Sequence, residues 1–287
     1  MPLIIKIRFD MEYSQLKLAN KAWWDERSII HGESPFYKIS ELVSGSSALG
    51  DFEHEEFVIG DAESLLHLQC HIGTDTISWA RRGVQVTGLD FSESALIQAQ
   101  RIAESCGVEV SWVAADVYDA PLVLRDTYDI VYSGKGALPW LDDLDTWGKV
   151  VSKLLKPGGR LYLVEFHPIS WILGDGEWAI VHDYFSSGQP HIESEVQGSY
   201  AASDAVTTFN TTAEWQHTLA EVISAVAGAG LVIEWFHEFP FTYFQQSPIL
   251  EVNDEGVYEV PEQYARIPLM YSLCARKPFA HSSTRVM

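Results

Sequence analysis

The chain has 287 residues, 47% of them hydrophobic and 12% aromatic, and a formal charge of −21. This composition excludes disorder and supports a sizeable core, expected as one domain with elaborations. The charge, with 19 Lys and Arg scattered rather than clustered, argues against nucleic acid as a partner, because a phosphate backbone repels such a surface.

No apolar run approaches the roughly 20 residues of a membrane span, so no membrane partner is expected. The start, MPLIIKIRFDMEYS, lacks a long apolar region and a small-residue cleavage site, and reads as no leader. Cys70, Cys106 and Cys274 are widely spaced and odd in number. They form neither a disulfide framework nor a metal pattern, which points to a reducing, cytoplasmic setting. Nothing in the sequence fixes an oligomeric state.

Residues 1–60 hold aromatic and helical patches without a repeat and are expected as an N-terminal helical cap. Residues 61–287 are expected as the main α/β domain. SLLHL, from residue 64, reads as a short strand. Thr74 to Arg82 reads as a helix closed by Gly83. VQVTGL follows as a strand with β-branched residues. Ser92 suits the cap of a helix carrying Leu96, Ile97, Ile102 and Ala103. VEVSWV and YDIVY are the next strands. Leu144 to about Leu155 shows the helical stripe Leu144, Trp147, Val150, Val151, Leu154 and Leu155. Lys156-Pro157-Gly158-Gly159 reads as a turn, and RLYLVEF as the fifth strand. Strand and helix alternating at this spacing predict a parallel sheet with helices on both faces.

The alternation stops after Pro168. An insertion is expected at about 169–210, over the carboxyl edge of the sheet, with short strands near 178–185 and 198–209. Thr211 and Glu214 have the spacing of a capping box. They predict a helix bearing Trp215, Leu219, Val222, Ile223 and Val226. LVIEWF and LMYSLCARK complete the strands.

Open parallel sheets bind ligands beyond the carboxyl ends of their strands. The polar residues that follow each strand are therefore informative. Gly73, at a helix entry, lets backbone approach a ligand while the helix start offers unpaired N–H donors. Asp90, after the second strand, can accept both ribose hydroxyls of an adenosine. Asp116, after the third, can accept from an adenine amine, and Phe91 and Val117 can sandwich the base. Taken singly, Asp90 is equally a helix cap and Asp116 a turn former. Their order behind successive strands favours a nucleoside site.

Residues 64–167 resemble the core of class I S-adenosylmethionine-dependent methyltransferases. LLHLQCHIGTDTISWARRGVQVTGLDFSESAL is similar to their first two strands and intervening helix. VAADVYDAP resembles the adenine-site segment, YDIVYS the fourth strand, and LLKPGGRLYLVEFHP the helix, turn and strand after it. NKAWWDERSIIHGESPFY and EWQHTLAEVISAVAGAGLVIEWFHEFPF resemble an actinobacterial-type branch of the group. The resemblance implies a Rossmann-like seven-stranded sheet, mostly parallel with an antiparallel last strand, LMYSLCARK. It implies S-adenosyl-L-methionine as cofactor, with Gly73 near its methionine part, Asp90 at the ribose, Asp116 at the adenine and Ser133 lining the cleft. It also implies transfer of a methyl group to a small-molecule acceptor.

The first turn departs from the family pattern, which has an acidic residue and two glycines where His67, Gln69 and His71 stand; only Gly73 remains. Side chains at 69 and 71 exclude backbone angles open to glycine alone. Gln69 and His71 either bond the cofactor's carboxylate or are buried and satisfied by backbone. With no acid at 67, another group must meet the cofactor's amino group.

The same turn fails the three-glycine test of a dinucleotide fold. A sulfonium nucleoside has no diphosphate and tolerates a bulkier turn. A protein that binds S-adenosylmethionine without turnover and a nicotinamide-dependent oxidoreductase are the alternative readings. Methyl transfer needs alignment and desolvation, and a base only where the acceptor loses a proton. His217, His167, His31 and Tyr37 are the candidates. Trp24 can close over the cofactor and Arg27 can pair with its carboxylate; the alternative is core packing for Trp24 and a surface position for Arg27. Where DNA amino-group methylases carry an Asn/Asp-Pro-Pro-aromatic segment, this chain has Ser133-Gly134-Lys135-Gly136.

Overall fold

The computed structural model describes residues 13–174 and 177–279. The leader reading of the first twelve residues lies outside them. Four helical pieces precede the sheet: α1 (Tyr13–Glu33), a 3-10 turn at Pro35–Tyr37, α2 (Ile39–Val43) and α3 (Asp51–Glu56). The alternating part follows as β1 (Ser64–Leu68), α4 (Thr74–Arg81), β2 (Gln85–Asp90), α5 (Glu93–Ser105), β3 (Ser111–Ala114), α6 (Ala120–Val123), β4 (Tyr128–Gly134), α7 (Leu144–Leu154) and β5 (Leu155–Phe166).

Ser92 caps α5 as its sequence position predicts, accepting from the Ala95 N–H at 3.0 Å. The Lys156–Gly159 turn lies inside β5 rather than before it. Tyr128 pairs with Leu155 while Ile130 pairs with Arg160, so these residues form an excursion within one strand.

The insertion holds β6 (Leu173–Gly174), β7 (Glu177–Ile180), β8 (His191–Glu193) and β9 (Thr212–Glu214). A strand was expected over 198–209; the structure has only a single bridge there, between Ser199 and Ala202. The capping box at Thr211 and Glu214 is also corrected. That segment pairs with β8, and the helix α8 (Leu219–Gly228) starts from a second box of the same spacing, Thr218 and Glu221. β10 (Val232–Phe239) follows, then β11 (Phe241–Thr242), β12 (Glu251–Val252) and β13 (Tyr258–Glu259), and finally β14 (Met270–Arg276). Residues 240–269, with their small three-stranded sheet, are an elaboration that the sequence reading lacked.

The main sheet has seven strands in the order β10-β14-β5-β4-β1-β2-β3. β14 runs antiparallel to both its neighbours, and the pairings among β1 to β5 are parallel. The two faces of the sheet separate by strand parity. Leu66, Leu68, Val131, Leu161 and Leu163 pack against Trp147, Val150, Val151 and Leu154 of α7 and Val222 and Val226 of α8. Leu65, Ile130, Tyr132, Tyr162 and Val164 pack against Phe57 and Trp79 on the other face. Each such side chain contributes roughly 1.5–3 kcal/mol on burial, so the sheet is a stiff base for its carboxyl edge. Among the described residues, no helix is long and apolar enough to cross a membrane.

Candidate active site

The turn after β1 is the centre of the carboxyl edge. Gln69, His71 and Gly73 have φ of 55°, 50° and 75°, so three alternate residues are left-handed. For an L residue this region costs roughly 1–2 kcal/mol. The turn thus keeps an alternating left-handed form with two side chains in it, in a region open to non-glycine residues. Gly73 itself has no such latitude: a Cβ there would fall 2.5 Å from the Trp112 ring, which also presses on Gly88.

Asp90, at the end of β2, is 5% exposed. Its carboxylate accepts from the His71 N–H and the Ser92 N–H, each at 2.8 Å. One side chain therefore ties the first turn to the start of α5. Burial pushes its pKa from 3.8 up to about 6, against the pull of those two backbone donors. Asp116 is half-buried. It caps the next turn by accepting from the Tyr118 N–H at 2.9 Å through one oxygen. Val117 is buried and Phe91 half-buried beside these acids in the chain.

The end of β4 is fixed from β5. Buried Glu165 accepts from the N–H groups of Gly136, Ala137, Leu138 and Phe166. Glu165 lies within the predicted fifth strand, RLYLVEF, where nothing local in the sequence marks this role. Lys135, left-handed with φ 57°, pairs with Glu53 at 2.9 Å and Asp75 at 2.8 Å. Tyr132 donates to the same two carboxylates. The two acids hold the Lys135 ammonium well above its ordinary pKa despite burial. This cluster was missed because Glu53 comes from α3, about 80 residues before Lys135.

α1 and the insertion lie over this edge. His31 shares a 2.8 Å hydrogen bond with His71 through Nδ1 and a 2.9 Å bond with Ser199 Oγ through Nε2. The Tyr37 hydroxyl stands 3.3 Å from His31 Nδ1 and 2.5 Å from the Tyr200 hydroxyl. Burial and the nearby Arg27 guanidinium hold His31 down to about 3, and burial holds His71 well below its ordinary value. Both imidazoles are therefore neutral at neutral pH. Trp24 stands edge-on to His71 at 4.8 Å, and Trp23 stacks with Trp140 at 5.8 Å. Asp25 accepts from Ser92 Oγ at 2.6 Å.

Two expected roles, those of Arg27 and His167, are corrected by these contacts, and His217 is placed differently in the chain. Arg27 is fully buried rather than exposed. Its nitrogens donate to the carbonyls of Val196, Gly198 and Phe209 and to the side chains of Glu26, Thr207 and Asn210, which leaves none for a ligand carboxylate. His167 uses both ring nitrogens, Nε2 to Glu238 and Nδ1 as acceptor from the Ile169 N–H. It has no lone pair left to act as a base. His217 precedes α8 rather than opening it, and its Nε2 donates to the Leu141 carbonyl at 2.8 Å. His31 and Tyr37 are brought together with His71.

Ser133 is fully buried and its Oγ has no partner among the described residues. Gln69 donates through Nε2 to the Ala137 carbonyl at 2.8 Å, while its Oε1 is sealed from solvent and unpaired. His67 bonds Thr76 Oγ1 at 2.7 Å and is held at about 4 by burial, hence neutral. Among the described residues, no cluster of His, Cys, Asp and Glu is arranged to hold a metal ion.

The strand order, the single reversed strand at the end of the chain and the acid-lined carboxyl edge define a Rossmann-like methyltransferase fold. Comparison with known proteins agrees. A family model described as a methyltransferase domain matches residues 66–161, about a third of the chain.

Among curated proteins, the ubiquinone biosynthesis O-methyltransferase of Cronobacter sakazakii is 27% identical over 165 residues, 56% of this chain. The demethylmenaquinone methyltransferase of Thermus thermophilus is 31% identical over 121 residues, 42% of this chain. The chain spans 63% and 52% of the length of these two relatives. A S-adenosylmethionine-dependent methyltransferase structure from Mesorhizobium loti aligns with a TM-score of 0.55 and 22% identity. The alignment covers 82% of this chain and 99% of that one. A methyltransferase structure from Methanosarcina mazei aligns at 0.52 and 17%, covering 81% and 99%. At those identities the likeness is one of fold.

Proposed function

We propose that the protein is a cytoplasmic methyltransferase that takes S-adenosyl-L-methionine as cofactor and a small molecule as methyl acceptor. The observation that carries this reading is Asp90. A buried carboxylate at the end of β2 is held rigidly by two backbone donors, where an adenosine ribose has hydroxyls to donate. The residues present fit the cofactor: acidic acceptors stand after β2 and β3.

When bound, the cofactor supplies an electrophilic methyl group on a cationic sulfur. The chain's own work is positioning and exclusion of water. Asp90 holds the ribose, Asp116 faces the adenine with its second oxygen, and Phe91 and Val117 flank the base. Neutral His31 and His71 add no positive charge of their own that would oppose a sulfonium. Trp23, Trp24 and Trp140, with Tyr37 and Tyr200, make an aromatic wall suited to a flat, partly apolar acceptor. The names of the two curated relatives support an acceptor of that kind. His31 has both ring nitrogens engaged, by His71 and Ser199, so its part is to position His71 rather than to take up a proton.

The charge of −21 supports a partner that is not nucleic acid. The direct test is calorimetric titration with S-adenosylmethionine and S-adenosylhomocysteine, followed by transfer of a labelled methyl group to hydroxylated aromatic acceptors. Absence of heat at millimolar ligand would overturn the reading.

A further inference from the structure

Among the described residues, β3 ends the main sheet and pairs only with β2. The Ala115 N–H donates to the Asp90 carbonyl at 3.0 Å. Backbone groups of alternate residues in a strand turn to the same side. Ser111, Val113 and Ala115 therefore serve β2, while Val110, Trp112 and Ala114 turn their N–H and C=O groups to the open edge. The side chains of these last three line a groove shared with α5. Exposed edges are commonly guarded by charge or proline. Residues 110–114, VSWVA, carry neither.

The α5 side of the groove has a pattern of its own. Ile97 is 54% exposed there. Glu93 and Arg101, both exposed, stand four residues before and after it. Residues four apart share a helix face, so the row runs acidic, apolar, basic. Such a row complements a reversed copy of itself, as a two-fold axis requires.

Strand and helix also agree on where that axis falls. Asp90 is level with Ala114, and α5 starts three residues after Asp90. Ile97 lies about 6 Å along the helix from Glu93. Trp112 lies about 7 Å along the strand from Ala114. One axis can therefore pass beside both Ile97 and Trp112.

We propose that β3 and α5 form a two-fold interface between two copies of this chain. The β3 strands pair antiparallel about Trp112, joining the two main sheets into one. The α5 helices lie antiparallel about Ile97, with Arg101 of each copy against Glu93 of the other. The charge of −21 opposes association at long range. Physiological salt screens beyond about 8 Å, so the contacts at the edge decide.

The test is sedimentation velocity of the full chain over a concentration series at physiological salt. The unaltered protein should reach twice the 32.2 kDa of one chain. Arg101→Glu and Glu93→Arg each set like charges together at two symmetric places, and each should raise the dissociation constant roughly tenfold or more. The double exchange restores opposite charges and should return it to within about threefold of the unaltered value. Ala114→Pro removes an outward N–H without touching the ladder to β2, and should prevent pairing while circular dichroism stays unchanged. If that variant misfolds, the exposed charge exchange still carries the test. A chain that stays monomeric throughout the series would overturn the proposal. So would a dimer that both single charge variants leave intact, which would form through another face. Single variants that weaken pairing with no rescue by the double exchange would refute the antiparallel register and the proposal with it.

Discussion

Replacing Asp90 by Asn tests the nucleoside site most sharply, because stability and binding should separate. The carboxylate accepts two backbone N–H groups at 2.8 Å. An amide offers one acceptor oxygen and one NH2, so one of those donors loses its partner, at about 1–3 kcal/mol. Against this, the ionised carboxylate is itself unfavourable at neutral pH. Its pKa stands at about 6 instead of 3.8, which corresponds to about 3 kcal/mol at 1.36 kcal/mol per pH unit. The two effects oppose each other, and Asp90→Asn should change stability at pH 7 by less than about 2 kcal/mol. Ligand binding has no such offset. Losing a charged acceptor for a ribose hydroxyl costs about 1.5–3 kcal/mol, roughly a 10- to 100-fold weaker affinity for S-adenosylhomocysteine. Denaturant unfolding reads the first quantity and calorimetry the second. An affinity within twofold of the unaltered protein, with the fold intact, would refute the ribose assignment.

The same carboxyl sets a pH dependence. Its folded pKa lies above its unfolded one, so its stabilising contribution is complete below about 3.8 and lost as pH rises through about 6. Unfolding of the two proteins at pH 4 and pH 7 should show the unaltered chain gaining about 2.4 kcal/mol over Asp90→Asn at the lower pH. Arg27→Ala orphans several buried acceptors between α1 and residues 196–210; it should destabilise by about 3–5 kcal/mol in denaturant unfolding, and Arg27→Lys should not rescue it, since an ammonium cannot reproduce the guanidinium fork. Glu165→Gln leaves at least one of four N–H donors unpaired and should cost about 1–3 kcal/mol, seen as a lower Tm. His217→Gln should leave methyl-transfer kcat within about threefold. A loss of tenfold or more, the range of a missing acid-base group, would place a proton-transfer role at His217.

Much of the sheet was legible because its signals are local. β1, β2 and β4 alternate or run apolar over a few residues, Ser92 caps its helix, and the stripe of α7 is regular. What escaped was non-local. Two boxes, Thr211 with Glu214 and Thr218 with Glu221, have one spacing, and only pairing with β8 decides between them. The two-residue strands at 241–242, 251–252 and 258–259 have no periodicity to read. At the carboxyl edge, the positions of Asp90 and Gly73 were legible from their place after a strand. The ion cluster of Lys135 with Glu53 and Asp75 joins segments remote in sequence, and the engagement of Arg27 required knowing where residues 196–210 go.

The union of α1 with the insertion bears on how the protein is made. Asn20 exchanges two hydrogen bonds with Ala213, and Glu26 receives the N–H groups of Thr208 and Phe209. These partners are 182 to 193 residues apart. At a synthesis rate of roughly 5–20 residues per second, α1 emerges roughly 10–40 s before the segment that completes it. During that interval Trp23 and Trp24 lack part of their final surroundings, and the central strands can pair without them. The carboxyl edge under α1 should therefore acquire its native order only after residue 213 has left the exit tunnel, with its tryptophans incompletely covered until then.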